Sequence, residues 1–243
     1  MKAIILAAGY ATRLYPLTLD KPKALLQIQG KAIIDYIVEQ INTIPDINEI
    51  IVVSNHKFTD HFNNWAKTAQ SEIPIKVLDD GTMDEETRLG AIGDISFVID
   101  RENIDEDLVI IAGDNLFTFP LAEYKRFFDD KNRDCVCVQR IENIEARKQL
   151  GIALLDEGGR VIDMEEKPRE PKSDCAVFAT YMYKRETIPL IRQYLDEGNK
   201  PDAPGFFVSW LFKRKPVYAY VMNGQCYDIG TPEALRQAGF LQL

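Results

Sequence analysis

The residues best suited to chemistry in this sequence are small residues and cations close to its start. Ala8 and Gly9 follow the apolar run 3–6. Small residues directly after a strand let backbone N–H groups approach a ligand, and consecutive N–H groups form a cradle for an anion. Arg13 and Lys23 come next, each near a proline that stiffens the chain. Together these features indicate a polyphosphate site.

The whole stretch 6–25 has an order of residues that chance explains poorly. It reads LAAGYATRLYPLTLDKPKAL and contains neither a GxGxxG pattern nor a GK[ST] ending, so two familiar phosphate loops do not fit. It closely resembles the signature LAaGxGtRLxPLTxxxPKxl of the sugar-1-phosphate nucleotidylyltransferases, the family of glucose-1-phosphate thymidylyltransferase. One residue departs from that signature, since Ala11 stands where the family usually has glycine.

Three later stretches resemble elements of the same family. Residues 113–115 (GDN) resemble its GD[NQ] element, and 165–168 (EEKP) resemble its EKP element. Residues 226–232 (CYDIGTP) resemble WxDIGTPE, with Cys226 in place of tryptophan. Each stretch is a weak signal alone, because an aspartate at a strand end often only caps a helix. In this order behind the first signature, they are strong together.

The resemblance implies a defined reaction. An oxygen of a sugar-1-phosphate attacks the α-phosphorus of a nucleoside triphosphate in line, which gives an NDP-sugar and expels pyrophosphate. Because two anions must meet, their charges have to be neutralised. Mg²⁺ is the natural hard cation for this task, and the matching motifs imply Asp114 and Asp228 as its ligands.

The resemblance also implies roles for residues in two half-sites. Arg13 suits the β- and γ-phosphates of the leaving group, because a guanidinium donates in a planar, bidentate way. Lys23, a compact charge, suits the α-phosphate, so both are predicted catalytic residues. In the acceptor half-site, we expect Lys167 to hold the sugar phosphate and Glu166 to accept hydrogen bonds from sugar hydroxyls, beside Gly151.

The nucleobase loop is where the sequence departs from its relatives. Thymidylyl and uridylyl members typically use a glutamine shortly before a loop glycine, here Gly90. This chain has no glutamine between Asp79 and Gly93, only carboxylates and Arg88 among its charged residues. The predicted nucleotide-binding residues are Leu6, Ala8, Gly9, Arg13, Lys23, Asp80, Glu85, Arg88, Gly90 and Asp114.

The hydrogen-bonding edge of each base decides how well a carboxylate can bind it. Guanine presents N1–H and N2–H₂ side by side, which matches a carboxylate fork, and a carboxylate together with Arg88 could read cytosine. Uracil and thymine present one N–H between two carbonyls. The two carbonyl oxygens repel a carboxylate that faces this edge. We therefore predict GTP or CTP over dTTP and UTP. An alternative stays open, in which the acids are only a solvated loop and backbone groups near Gly90 read the base.

Composition and charge limit the classes of partner. The 243 residues are 46% hydrophobic and 28% charged, as in globular proteins, and a net charge of −9 argues against nucleic acid or an anionic membrane as a partner. No apolar stretch approaches the ~20 residues of a membrane span, and the start lacks a signal peptide's features. With four cysteines but no CxxC pair, we expect buried reduced thiols and a cytoplasmic protein. The oligomeric state stays open, with a homo-oligomer as one possibility.

Apolar runs alternate with helical patterns along the first half of the chain. Strands are predicted at 3–6, 49–54, 75–78 and 107–112, and helices at 31–44 and 57–69. This alternation favours an α/β, Rossmann-like fold with a mixed, mostly parallel sheet flanked by helices, and the resemblance implies the nucleotide-diphospho-sugar transferase type. Ligands bind beyond the carboxyl ends of such strands, so Gly9, the acidic loop 79–86 and Asp114 should face one crevice.

The second half of the chain has a different pattern. Strands are predicted at 135–139, 151–155, 160–164, 177–183 and 217–222, and helices at 185–195 and 232–239. Residues 201–205 are predicted to form a turn-rich loop. We expect one catalytic domain over 1–243, with its nucleotide half at about 1–130 and its sugar-phosphate half at about 131–243.

Two other functions on the same fold stay open. A phosphocholine cytidylyltransferase would need an aromatic cage for the quaternary nitrogen of choline. Candidate cage residues are Tyr181, Tyr183, Phe206, Phe207 and Trp210. A non-catalytic regulator would bind nucleotide without turnover. Such a regulator should have lost one of the catalytic or metal-binding residues named above, and all four are present.

Overall fold

The computed structural model describes residues 1–239, apart from the side chain of Asp228. Its strands are β1 (Lys2–Leu6), β2 (Gln27–Ile28), β3 (Lys31–Ala32), β4 (Glu49–Ser54), β5 (Ile75–Asp79), β6 (Leu108–Ala112), β7 (Asn115–Phe117), β8 (Asp134–Arg140), β9 (Gly151–Leu155), β10 (Val161–Glu166), β11 (Cys175–Tyr183), β12 (Val217–Val221) and β13 (Cys226–Asp228). Its α-helices are α1 (Ile33–Ile41), α2 (Thr59–Ala66), α3 (Ala91–Glu102), α4 (Leu121–Lys131), α5 (Ile144–Arg147), α6 (Ile188–Asp196), α7 (Pro204–Leu211) and α8 (Pro232–Ala238).

Nine of the strands in the described part form one mixed sheet. Its order is β10-β9-β11-β6-β1-β4-β5, with β8 beside β11 and β12 beside β8. The run β6-β1-β4-β5 is parallel. Antiparallel pairs gather around β11, which contacts β6, β8 and β9. The predicted α/β sheet is therefore confirmed, and β11 joins its first half to its second.

Helices cover both faces of this sheet. On β1, Ala3 and Ile5 pack in one layer with α1, α2 and α4, whereas Ile4 packs in the opposite layer with α3, α6 and α7. None of the three side chains has exposed surface. A parallel strand covered on both faces needs a continuous apolar run rather than an alternating one, which is why KAIIL forms the central strand.

Some element boundaries differ from the sequence prediction. The helix expected at 31–44 begins only at Ile33, because β2 and β3 form a small hairpin before it. The loop expected at 201–205 is interrupted by α7 at Pro204, whose sequence PGFFVSWL is apolar on almost every side and shows no clear helical period. The prediction also lacked α3, since Gly93 and Asp94 interrupt its apolar face.

The parallel strands end at the same edge of the sheet. Leu6 at the end of β1 lies level with Val53 of β4 and with Ala112 of β6. Ser54 lies level with Asp79 at the end of β5. The segments that follow β1, β5 and β6, which carry most of the predicted nucleotide-binding residues, are therefore neighbours in space.

The state of the cysteines agrees with the prediction from the sequence. All four cysteines are buried and free of disulfide bonds, as predicted. Burial raises the pKa of the Cys137 thiol well above its ordinary value, so this thiol stays protonated.

Across residues 1–239, no helix combines the length and the apolar character needed to cross a membrane.

Candidate active site

A cavity of about 370 Å³ opens at the carboxyl edge of the parallel strands. Segments after β1, β5 and β6 form part of its wall, together with the starts of α3 and α7. The predicted site residues that line it are Leu6, Ala8, Gly9, Lys23, Asp80, Arg88, Gly90 and Asp114. The predicted residues outside this lining are Arg13, Glu85, Gly151, Glu166 and Lys167. Most of the predicted nucleotide set is thus brought to one place.

Buried polar contacts hold the loop after β1 against the sheet. The side-chain amide of Asn55 donates to the carbonyl of Ala8 over 2.8 Å, and the N–H of Ala7 donates to the carbonyl of Val53 over 2.9 Å. A Cβ built on Gly9 would meet no protein atom within 4 Å. The backbone at Gly9 is therefore unobstructed by protein, as an anion cradle requires.

Ala11 has a left-handed backbone conformation, with φ 49° and ψ 41°. Glycine adopts this region without strain, whereas a Cβ makes it costly. The hydroxyl of Thr18 and the N–H of Leu14 both donate to the carbonyl of Ala11 over 2.9 Å. These bonds hold the turn in place, and Arg13 follows on an exposed 3₁₀ turn outside the cavity lining.

Lys23 and Asp114 form an ion pair at one wall of the cavity. Nζ of Lys23 lies 2.6 Å from Oδ2 of Asp114, and the two side chains are 13% and 33% exposed. Gly113 allows the end of β6 to come this close, because a Cβ on it would lie 2.9 Å from the carbonyl oxygen of Leu6 and 3.4 Å from Cβ of Ala24. The two charges partly neutralise each other.

Two carboxyl groups, Asp80 and Asp94, line another part of the cavity wall. Oδ1 of Asp80 accepts hydrogen bonds from the N–H and the hydroxyl of Thr82, over 2.7 and 2.8 Å. Burial is the main cause that raises the pKa of Asp80. For Asp94, burial first and then the charge and hydrogen bond of Asp80 raise the pKa to about 8.

Asp94 is a site residue that the sequence prediction missed. It lies in the first turn of α3 and is only 6% exposed, between the buried residues Ile92 and Ile95. A carboxylate placed among the core residues of a helix was the available signal, because a buried acid needs a partner or a proton. The sequence patterns predict no helix at this place, so they do not show that Asp94 lies among core residues.

Arg88 lies on the rim of the cavity and joins two loops. Its guanidinium contacts Glu85 over 2.5 Å and Asp202 over 2.8 Å. Beneath it, Gly90 has φ 81°, and a Cβ there would lie 2.8 Å from the carbonyl oxygen of Pro201. The first N–H groups of α3 donate to the carbonyls of Pro201 and Asp202. The loop 79–90 and the loop before α7 are therefore closely joined.

The predicted acceptor residues lie together beside the cavity. Gly151 and Glu166 are cross-strand partners in the β9–β10 ladder, and a Cβ on Gly151 would lie 2.8 Å from Oε2 of Glu166. A Cβ on Gly205, which the sequence analysis did not single out, would overlap the same oxygen. Burial raises the pKa of Glu166. Lys167 is exposed and has φ 51°, and its N–H donates to the carbonyl of Leu150 over 3.1 Å.

The two predicted metal ligands lie on neighbouring segments of the backbone. In the β7–β13 ladder, Asp228 pairs with Asn115, the neighbour of Asp114. The side chain of Asp228 lies outside the described part, so the predicted pair of carboxylates stays a prediction. Among the side chains that are described, no group of three or more histidine, cysteine, aspartate or glutamate residues is arranged to hold a metal.

The aromatic residues considered for a choline cage belong mainly to the core. Tyr181, Tyr183, Phe207 and Trp210 are each at least 92% buried, and they pack in the layer that contains α6 and α7. Phe206 is partly buried against the same layer. These rings pack in the interior, and none of the five lines the cavity.

Comparisons with known proteins identify the family. The family model for nucleotidyl transferases matches residues 2–241. The chain is 28% identical over 98% of its length to the bifunctional protein GlmU of Methanocaldococcus jannaschii, and 30% identical over 75% to a glucose-1-phosphate thymidylyltransferase of Streptomyces antibioticus. It is 24% identical over 96% to the mannose-1-phosphate guanylyltransferase catalytic subunit beta of Dictyostelium discoideum. The chain spans 53%, 49% and 62% of the lengths of these three relatives.

A solved structure of similar shape supports the fold. A UDP-glucose pyrophosphorylase complexed with UDP-glucose superimposes with a TM-score of 0.83, over 98% of this chain and 96% of the other, at 21% identity. At that identity, the likeness is one of fold. The family model, by contrast, covers nearly the whole sequence, including all the motifs described above. The chain therefore belongs to the nucleotidyl transferase family.

Proposed function

We propose that the chain transfers a nucleotidyl group from a nucleoside triphosphate to a sugar-1-phosphate, giving an NDP-sugar and pyrophosphate. The observation that carries this proposal is the Lys23–Asp114 pair in the wall of the cavity that Gly9 also lines. The reaction needs aligned, charge-neutralised phosphates rather than a nucleophilic side chain, because the attacking phosphate is already an anion. Relatives named as sugar-1-phosphate nucleotidylyltransferases support the same reaction.

The donor half-site in this proposal is the loop after β1. Backbone N–H groups near Gly9 would hold phosphate oxygens, since protein atoms leave that side of the loop open. The ammonium of Lys23 would bind the α-phosphate, where negative charge grows as the acceptor oxygen approaches. Arg13, exposed on the following turn, would hold the β- and γ-phosphates as they depart as pyrophosphate.

The oxygen donors of Asp114 suit a hard divalent cation, and we infer a Mg²⁺ site there. The carboxylate keeps a third of its surface exposed while Oδ2 contacts Lys23, so it can accept a further partner. Asp228 would be the second ligand, because its backbone pairs with the neighbour of Asp114. When bound, Mg²⁺ would neutralise phosphate charge, and Lys23 would then be available to the α-phosphate.

The acceptor half-site would lie at the joined ends of β9 and β10. Gly151 and Gly205 leave space for the carboxylate of Glu166, which would accept hydrogen bonds from sugar hydroxyls. Exposed Lys167 would hold the phosphate of the incoming sugar. This cluster adjoins the cavity, because Gly205 directly follows Pro204 of the cavity lining.

For the nucleobase, we propose GTP or CTP over dTTP and UTP. Two carboxyl groups in the cavity wall, at positions 80 and 94, favour a base that offers N–H donors. The names of the relatives do not decide the question, since one is a thymidylyltransferase and another a guanylyltransferase.

We also propose a cytoplasmic location, because buried free thiols suit a reducing compartment.

Release of pyrophosphate over a matrix of nucleoside triphosphates and sugar-1-phosphates tests the reaction directly. We expect turnover with at least one pair and only when Mg²⁺ is present. Phosphocholine in place of the sugar phosphate serves as the control acceptor and should give no product. Binding of nucleotide without turnover for any acceptor would contradict the proposal and favour a non-catalytic nucleotide-binding regulator.

A further inference from the structure

Asp80 and Asp94 form a carboxyl pair in which two buried oxygen atoms lack a hydrogen-bond partner. Oδ2 of Asp80 and Oδ1 of Asp94 are both buried, and neither has a hydrogen-bond donor in the described structure while both groups are ionised. Both side chains line the same cavity, and a hydrogen bond between them raises the pKa of Asp94 and lowers that of Asp80. Ionised carboxylates cannot donate, so two facing oxygens repel, whereas one proton between them makes a hydrogen bond and removes a charge.

We propose that Asp94 determines nucleobase specificity: it acts as a neutral acid that shares a proton with Asp80, and this carboxyl pair accepts hydrogen bonds from the N–H groups of guanine. The inference rests on the proposed nucleotide site and names the base that the site takes. Asp94 lies in the first turn of α3, directly after the loop 79–90.

The position of the pair in the fold assigns it to the base. Asp80 follows β5, which is two strands away from β1 in the order β1-β4-β5. With strands ~4.8 Å apart, the pair lies about 10 Å across the sheet from the end of β1. Lys23 provides positive charge at the β1–β6 side, whereas a carboxyl pair would repel phosphates. A nucleotide with its phosphates at Lys23 therefore directs its base towards Asp80 and Asp94.

The hydrogen-bonding capacity of the pair favours guanine. The single proton is shared between the two carboxyl groups. The other oxygen atoms of the pair can therefore only accept hydrogen bonds from a ligand. Guanine has N1–H and N2–H₂ next to each other, whereas uracil and thymine have one N–H between two carbonyls. Cytosine has a single donor group beside acceptors. Guanine alone among these bases presents two adjacent donor groups.

The charged groups around the pair have other partners. Arg88 is paired with Asp202 over 2.8 Å, and Asp79 with His56 over 2.6 Å. Tyr10 contacts the hydroxyl of Thr82, which in turn donates to Asp80. The charge that acts most directly on Asp94 is therefore that of Asp80. With a pKa of about 8, Asp94 keeps its proton at neutral pH and loses it above pH 8, so the cavity then gains a second negative charge.

Binding of GTP as a function of pH tests the inference without depending on turnover. The full chain with Mg²⁺ and no sugar phosphate is titrated with GTP between pH 7 and pH 9 by calorimetry. If only the protonated pair binds, the dissociation constant rises about tenfold over this range. Asp94→Asn keeps a neutral side chain of the same shape, so it should remove most of this rise and report only the ionisation of the nucleotide itself.

Two variants provide matched controls. Asp100→Asn changes an exposed aspartate on the same helix, and His56→Gln removes the nearest histidine; both should keep the wild-type pH profile. A wild-type dissociation constant that does not change with pH, or an equal rise in Asp94→Asn, would overturn the shared proton. Calorimetry detects binding directly, so absence of turnover with every acceptor would count against the proposed reaction and not against this inference.

A nucleotide panel at pH 7 tests the base assignment. We expect wild type to bind GTP more tightly than CTP, UTP or dTTP, and Asp94→Ala to lose most of that preference because the pair is broken. Thermal unfolding of both Asp94 variants checks that they are folded, and Asp94→Asn supplies the comparison if Asp94→Ala is not. Tighter binding of UTP or dTTP by wild type would overturn the assignment of guanine.

Discussion

The ammonium of Lys23 and the carboxylate of Asp114 lie 2.6 Å apart, although the residues are 91 positions apart in the sequence. One follows the loop after β1 and the other follows β6, and these two strands are parallel neighbours. Each charge compensates the other. In the proposed reaction, a phosphate would attract the lysine and a cation would attract the aspartate, so the pair would separate. Both residues therefore give sharp tests of the proposed reaction.

Substitution of Lys23 by alanine should lower kcat by roughly 10²–10³-fold, because its charge faces negative charge that grows in the transition state. Lys21→Ala is a matched control, since this exposed lysine lies two residues earlier on the same segment. Steady-state kinetics on both variants make the comparison. Equal losses in the two variants, or none in either, would remove Lys23 from the reaction.

Asp114→Asn should abolish most turnover while the fold stays intact, because the amide cannot supply a charged metal ligand. Its activity should not recover at a Mg²⁺ concentration that saturates wild type. Asp105→Asn, which alters an exposed aspartate paired with Arg185, should behave as wild type. Near-normal activity of Asp114→Asn, or no effect of a chelator on wild type, would contradict the metal assignment.

The sequence predicts that Gly9 and Asp114 face one crevice, and both line the cavity, because the pattern that predicts it is local. In the first 26 residues, a strand, a small-residue turn and two cations follow one another, and the sheet register fixes the strand end beside Asp114. Asp94 was missed for a different reason. Its environment depends on the packing of α3 over the sheet and on Asp80, fourteen positions earlier. The one local signal, an acid among apolar residues, has meaning only once α3 is known to be a helix.

The same distinction applies to α7. Its apolar residues are buried nearly all around, so no amphipathic period marks it as a helix. Its start places Gly205 against Glu166, and this contact joins residues that are far apart in the chain. Local patterns therefore predicted the strands and motifs, whereas the walls of the cavity made by α3 and α7 required the tertiary structure.

Gly9→Ala tests the anion cradle without disturbing the fold. The added Cβ would meet no protein atom within 4 Å, and Gly9 does not have a positive φ. We expect an unchanged midpoint of thermal unfolding and a KM for the nucleotide raised by about tenfold or more, equivalent to at least ~1.4 kcal/mol of binding. Gly113→Ala gives the opposite pattern, because its Cβ would lie 2.9 Å from the carbonyl oxygen of Leu6 and should destabilise the fold. An unchanged KM in Gly9→Ala would place the phosphates elsewhere.

Ala11→Gly tests the cost of the left-handed turn in the same loop. An L-residue in this conformation costs about 1–2 kcal/mol, whereas the greater freedom of glycine in the unfolded chain costs about 0.5–1 kcal/mol. The free energy of unfolding of Ala11→Gly should therefore stay the same or rise by up to about 1.5 kcal/mol. Urea denaturation measures this difference.

Ala122→Gly in α4 is the matched control for that measurement. Ala122 lies in a helix, where the same exchange removes a good helix former and should lower the free energy of unfolding by up to about 1 kcal/mol. Opposite signs for the two substitutions would locate the strain at Ala11, where the Thr18 hydroxyl and the Leu14 N–H hold the turn. If Ala11→Gly destabilised the protein as much as Ala122→Gly, the turn would be unstrained, and the usual glycine of the family would need another explanation.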